Sequence, residues 1–231
     1  MHRRRGPLVL LLVVAIILAL LVVADRLAPR IVADRVAATL QTALNTDQRP
    51  AVSLGGFPFL TQVATGHYQH IAISAKDVPI AGTGGRLSVT RLDGTLTDVH
   101  TGRTFRTITV GRFTGSATVS YAEISGFAGT SVSYDSTATN GDGFVTLKLP
   151  GSITVTGRPA IDGATHELYL ARPQFRVGGR LLPGAVPDDL VDKLFRVRLP
   201  QVLSGVELSN VRAARTGLTL TASGSNITVR R

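Results

Sequence analysis

Residues Leu8 to Ala24 read LVLLLVVAIILALLVVA, 17 in succession without a charged or polar side chain, directly after Arg3, Arg4 and Arg5. As an α-helix this run is about 26 Å long, the lower edge of what crosses the hydrocarbon core of a bilayer. It exceeds the roughly 7–15 residues of a signal-peptide core. The arginines hold the N-terminus on the cytoplasmic side and send the rest of the chain across. Val22-Val23-Ala24 also reads as a cleavage site. Residues 1–24 are therefore expected to be a signal anchor or a signal peptide. In both cases residues 25–231 form one exported domain, held to the cell membrane by a single pass or released into the envelope.

The segment that follows, DRLAPRIVADRVAATLQTALN, places Val32, Val36, Leu40 and Leu44 four residues apart, with Ala33, Ala37 and Ala43 beside them. That spacing predicts an amphipathic helix. Pro29 fits only a first helical turn, so the helix is expected to begin near it. Thr46–Gly56 reads as a loop. From His67 the pattern changes to period two, and similar runs recur to the C-terminus, among them Arg86–Leu92, Thr104–Val110, Ser116–Ile124, Gly143–Leu149 and Gly217–Ala222. Turn signals punctuate them, including Asp93-Gly94, Pro150-Gly151, Asp162-Gly163 and Gly178-Gly179. About ten strands in a mostly antiparallel sheet are expected, with one further helix at Pro187–Phe195. The fold class is α+β: a long helix, then a meandering antiparallel sheet, then a short helix and closing strands.

Without the three leading arginines the chain keeps 22 of its 25 basic residues against 15 acidic ones. A basic exported protein points away from nucleic acid and toward an anionic membrane surface. The absence of cysteine excludes disulfides and thiolate metal sites. No nucleophile elbow and no phosphate-binding loop occurs, and Gly82-Thr83-Gly84-Gly85 reads as a turn. His67 and His70, three apart on a strand, fall on opposite faces and are not expected to share a metal. His100 and His166 have no neighbouring motif. Asp188, Asp189 and Asp192 suit a helix start and a solvated face. Neither a catalytic set, nor a cofactor, nor a metal is expected, and the chain does not read as an enzyme.

One short stretch is unusual. Phe57-Pro58-Phe59-Leu60 gathers large apolar side chains where the chain bends. Exposed clusters of this kind mark contact surfaces. The alternative is that both phenylalanines fold into the core beneath the long helix. One helix of about 16 residues spans roughly 24 Å and cannot cover ten strands, so either the sheet closes on itself or an apolar groove remains beside the helix. Val32, Val36, Ala37, Leu40 and Leu44 are its candidate wall, and Phe57, Phe59 and Leu60 its candidate rim.

The apolar segment, the amphipathic helix, the GFPFLTQ element (Gly56–Gln62) and the late GLTLTASGSNI element (Gly217–Ile227) together resemble the actinobacterial LmeA-like phospholipid-binding family. The resemblance covers residues 30–231. It implies a fold like the tubular lipid-binding domains, where a hydrophobic groove between helix and curved sheet holds lipid. It also implies a periplasmic, cell-envelope location, with phospholipid as partner and a part in envelope glycolipid assembly. It supplies no catalytic residues. Two other functions remain open at this point: a membrane-anchored scaffold for an envelope biosynthetic enzyme, without bound lipid, and an exported hydrolase.

Overall fold

The computed structural model describes residues 5–82, 85–102, 107–135, 143–163, 165, 167–181, 197–198 and 205–230. The apolar run and the amphipathic stripe form one element, helix α1 (Arg5–Ala43), with Pro29 inside it. The expected helix start at Pro29 is therefore corrected. Proline removes the bond its own N–H would make to the carbonyl four residues back, that of Asp25. Strong helix formers on the N-terminal side and packing on the C-terminal side carry the helix through that loss. From Leu12 to Ala24 every side chain is exposed, as a lipid-facing helix requires. Beyond Ala24 the helix becomes one-sided. Ala33 and Ala37 are buried, and Val32, Val36, Leu40 and Leu44 are half-buried.

The described strands number twelve and pair antiparallel throughout, in two sheets. The first contains β1 (Ala51–Gly55), β2 (His67–Gly82), β3 (Gly85–Thr101), β4 (Thr107–Val119), β11 (Val206–Ala214) and β12 (Gly217–Arg230), in the order β1-β2-β3-β4-β12-β11. The second contains β5 (Ser131–Asp135), β6 (Phe144–Leu149), β7 (Ile153–Asp162), β8 (Glu167–Val177), β9 (Arg180–Leu181) and β10 (Val197–Arg198). Its order is β10-β8-β7-β6-β5, with β9 also on β8. The architecture is the expected α+β class. Residues 187–195, expected to be helical, lie outside the described residues, as does His166.

Three local expectations are corrected. Thr46–Gly56 is not all loop, because β1 pairs with β2 from Ala51↔Ser74 to Gly55↔His70. The run Ser116–Ile124 leaves the sheet at Val119, and helix α3 (Tyr121–Ala128) begins. Its start is a capping pattern that strand alternation concealed: Ser120 Oγ accepts the Glu123 amide at 3.3 Å. Asp93-Gly94 is not a turn but the middle of β3, where Asp93 pairs with Ser74. There Ser74 Oγ and Arg91 Nε each donate to the Asp93 carboxylate at 2.7 Å. The Phe113 ring covers Gly94, lying 3.6 Å from where a Cβ would stand.

Asp93 gives a pH test. The hydrogen bond from Arg91, then that from Ser74, holds its carboxyl below the ordinary carboxylate range. A depressed folded-state pKa contributes stability that is complete above the unfolded value, near 3.9, and is lost as pH falls through the folded one. Between pH 5 and pH 2 the wild type is expected to lose more Tm than Asp93→Asn. Parallel curves for the two proteins would show that the pair contributes nothing, as many exposed ion pairs do.

The core is divided. Val132, Val145, Val155 and Leu170 of the second sheet meet Ala213 and Leu218 of the first, with Tyr121 and Ile124 of α3 packed against them. Ala75, Val78, Val89 and Val119 form a second cluster, against which Leu44, just past the end of α1, packs. Val99, Val110 and Ile227 form a third, with Tyr68, Ile71, Leu96 and Phe113 around them only partly buried.

Candidate lipid-binding site

The bend at Phe57 resolves into a short helix. The Phe57–Pro58 peptide bond is cis, and α2 (Phe59–Thr65) follows at once, ending on Gly66 in the left-handed region. An amide in a helix's first turn has no partner within the helix. Here the Leu60 amide donates to Asp25 Oδ1 of α1 at 2.7 Å. Asp25 is 6% exposed and is the first residue after the apolar run. The bond therefore fixes α2 at the level where the candidate membrane span ends. Around this point the Arg26 guanidinium lies 5.5 Å from the Phe57 ring centroid.

The two phenylalanines part company. Phe57 is 59% exposed and Phe59 is 1% exposed. In an extended chain residues two apart share a face; helix initiation at Phe59 turns the second ring inward. Its centroid is 6.4 Å from that of Tyr68, and Tyr68 borders the half-covered cluster of Val99, Val110 and Ile227. Leu60 and Val63 remain exposed on α2. Gln62 is buried, and its Oε1 accepts the Gln69 amide at 2.9 Å. Its Nε2 has no hydrogen-bond partner among the described residues. Apolar side chains thus run from the exposed Phe57 and Leu60 through the buried Phe59 to Tyr68 and the other partly buried residues of that cluster.

The helix residues expected as a groove wall share one stripe. Ala33 and Ala37 are buried where α1 runs along β1, and Leu44 packs on the cluster of Ala75 and Val78. Val32, Val36 and Leu40 lie on the same stripe, half-buried. Three described cavities have no α1 residue in their walls. One of about 460 Å³ lies between the sheets, with Phe144, Pro159, Ile161 and Val211 beside Arg158 and Arg172. One of about 270 Å³ crosses β1, β2 and β3 at Val52, Ile73 and Gly94. The third, of about 430 Å³, is polar and holds His67 and Asp98. The structure brings Phe57, Phe59 and Leu60 together at one place and gives Val32, Val36, Ala37, Leu40 and Leu44 a packing position along the sheet edge. Gln62 entered the sequence reading only as the last residue of the GFPFLTQ element, and Asp25 escaped notice. The only signal was a carboxylate placed immediately after 17 apolar residues.

The family described as LmeA-like phospholipid-binding matches residues 23–223. Nothing among curated proteins or solved structures matches.

Proposed function

The chain belongs to the LmeA-like phospholipid-binding family, and from that premise we propose that it takes phospholipid from the membrane that anchors it, through the mouth at α2. Acyl chains enter beside Phe57 and Leu60 and lie against the half-covered cluster around Tyr68, Ile71, Leu96 and Phe113. Each methylene removed from water contributes about 0.8 kcal/mol. The buried Gln62 Nε2 offers an unused donor to an ester or phosphate oxygen near this path. Anionic lipid also suits the basic surplus of the exported domain. In this reading the protein works on the outer side of the cell membrane, carrying lipid or supporting envelope glycolipid assembly. The observation that carries the proposal is the Asp25–Leu60 bond, which holds α2, with the exposed Phe57 just before it, beside the end of the apolar run.

Photo-crosslinking tests it. Full-length protein in nanodiscs containing a diazirine-tailed phosphatidylglycerol is expected to crosslink at β2, β3 and β4, not only along Leu8–Ala24. Phe57→Asp is expected to reduce the sheet crosslinks about tenfold, the cost of placing a carboxylate where an apolar ring meets lipid, with an unchanged Tm. Crosslinks confined to the span would remove the lipid path and favour the lipid-free scaffold.

A further inference from the structure

The outer face of the first sheet carries a side-chain group that lipid binding does not use. Register pairs His67 of β2 with His100 of β3, and their rings stack with centroids 4.1 Å apart and planes 11° from parallel. His67 Nε2 lies 2.5 Å from Asp98 Oδ1. His100 Nδ1 lies 3.3 Å from the Asp98 carbonyl oxygen. One ligand-type atom from each of the three residues falls within 4.8 Å of the other two.

The backbone is arranged around this group. Strand pairing skips one position at the same level in three neighbouring pairs. Tyr68↔Val99 and His70↔Thr97 flank the first gap, Thr97↔Arg112 and Val99↔Val110 the second, Ser225↔Arg112 and Ile227↔Val110 the third. The residues in the gaps are Gln69, Asp98, Gly111 and Asn226. Asp98 and Asn226 have φ of 63° and 52°, which Asp and Asn tolerate better than other side chains. A Cβ on Gly111 would stand 2.8 Å from Asp98 Cβ. Leu96 and Val99, three apart, consequently face the same interior cluster, as do Tyr68 and Ile71. An added residue per strand is thereby turned outward, and Asp98 is aimed at the two imidazoles. An exposed ion pair contributes little and leaves this backbone unexplained.

We propose that His67, Asp98 and His100 bind a divalent transition-metal ion such as Zn²⁺. Two neutral imidazoles and a carboxylate are ligands of that class. With metal–ligand bonds of about 2.0–2.1 Å, tetrahedral ligand atoms stand about 3.3 Å apart. The rings stack rather than converge, so binding the ion requires one of them to turn about its side-chain bonds. A carbonyl oxygen only accepts, so His100 Nδ1 carries its proton toward Asp98 and leaves the Nε2 lone pair for metal. The ion takes the place of the proton shared by His67 and Asp98. Its remaining position opens into the 430 Å³ cavity, where Arg112 and Asn226 stand, suited to water or an anionic oxygen.

Full-length protein in detergent micelles, stripped with chelator, is titrated with ZnCl₂ by calorimetry, and with Co²⁺ by visible absorption. One equivalent is expected to bind, with tetrahedral or five-coordinate Co²⁺ bands. His67→Ala and His100→Ala are each expected to weaken binding by a factor of about ten or more, and Asp98→Asn, which keeps the backbone conformation, by about ten. His70→Ala leaves it unchanged. His100→Gln retains a donor for the Asp98 carbonyl and gives the same reading should an alanine variant misfold. The absence of saturable binding overturns the assignment. So does equal affinity in a folded His67→Ala/His100→Ala double variant, which would place the ion elsewhere on the chain.

Discussion

Phe59→Ala is expected to cost about 3–5 kcal/mol of folding stability, the range for truncating a large buried aromatic. With roughly 5–15 kcal/mol available to a typical domain, that is a large fraction. Phe59 is 1% exposed. Its ring ties α2 to Tyr68, and a small residue there leaves a void that Pro58 and the Asp25 bond prevent the backbone from closing. The control lies two residues away. Phe57, 59% exposed, is expected to change stability by less than about 0.5 kcal/mol when replaced by alanine. Thermal melts of both variants in the same nanodiscs decide the matter. Equal small shifts would place Phe59 outside the core and remove the division of labour between the two rings.

Gly143→Ala is expected to be comparably damaging, on the order of 3 kcal/mol, at the upper end of overpacking costs. Gly143 bridges to Ala213. A Cβ there would lie 1.9 Å from the Ala213 carbonyl oxygen and 2.6 Å from its carbon. Those are backbone atoms of a paired strand and have no rotamer to change. The second sheet must therefore draw away from β11, opening the cluster that joins Val145 and Val155 to Ala213 and Leu218. Hydrogen exchange is expected to quicken in β5 to β8 while amides of β2 to β4 keep their protection. Uniform acceleration, or none, would show that the bridge does not hold the sheets together.

The parts of this fold that were legible in the sequence are those set by period alone. The apolar run, the stripe of Val32, Val36, Leu40 and Leu44, and the alternation from His67 each follow from one-dimensional spacing. What escaped depends on contacts between distant segments. Pro29 looks like a helix start because its local cost is visible and the packing that absorbs it is not. Asp93-Gly94 looks like a turn until Phe113 is seen across the strand. The fates of Phe57 and Phe59 depend on where α2 begins, and that depends on Asp25, 35 residues from Leu60. Opposite-face placement of His67 and His70 follows from strict alternation, which the skipped row between Tyr68 and Ile71 interrupts. No spacing rule pairs His67 with His100; register does.

Helix α1 runs without a break from the candidate membrane span to the part that packs on β1, lacking one backbone bond at Pro29. In the anchored form the folded body therefore cannot swivel like a bead on a string; it leans when the span leans. Under the proposed function a lipid held against the sheet would travel only as far as that lean allows, and a receiving component would have to dock close to the same bilayer. Under that proposal, a glycine-rich joint inserted between Ala24 and Asp25 would free the body and, with it, uncouple the mouth from the lipid supply.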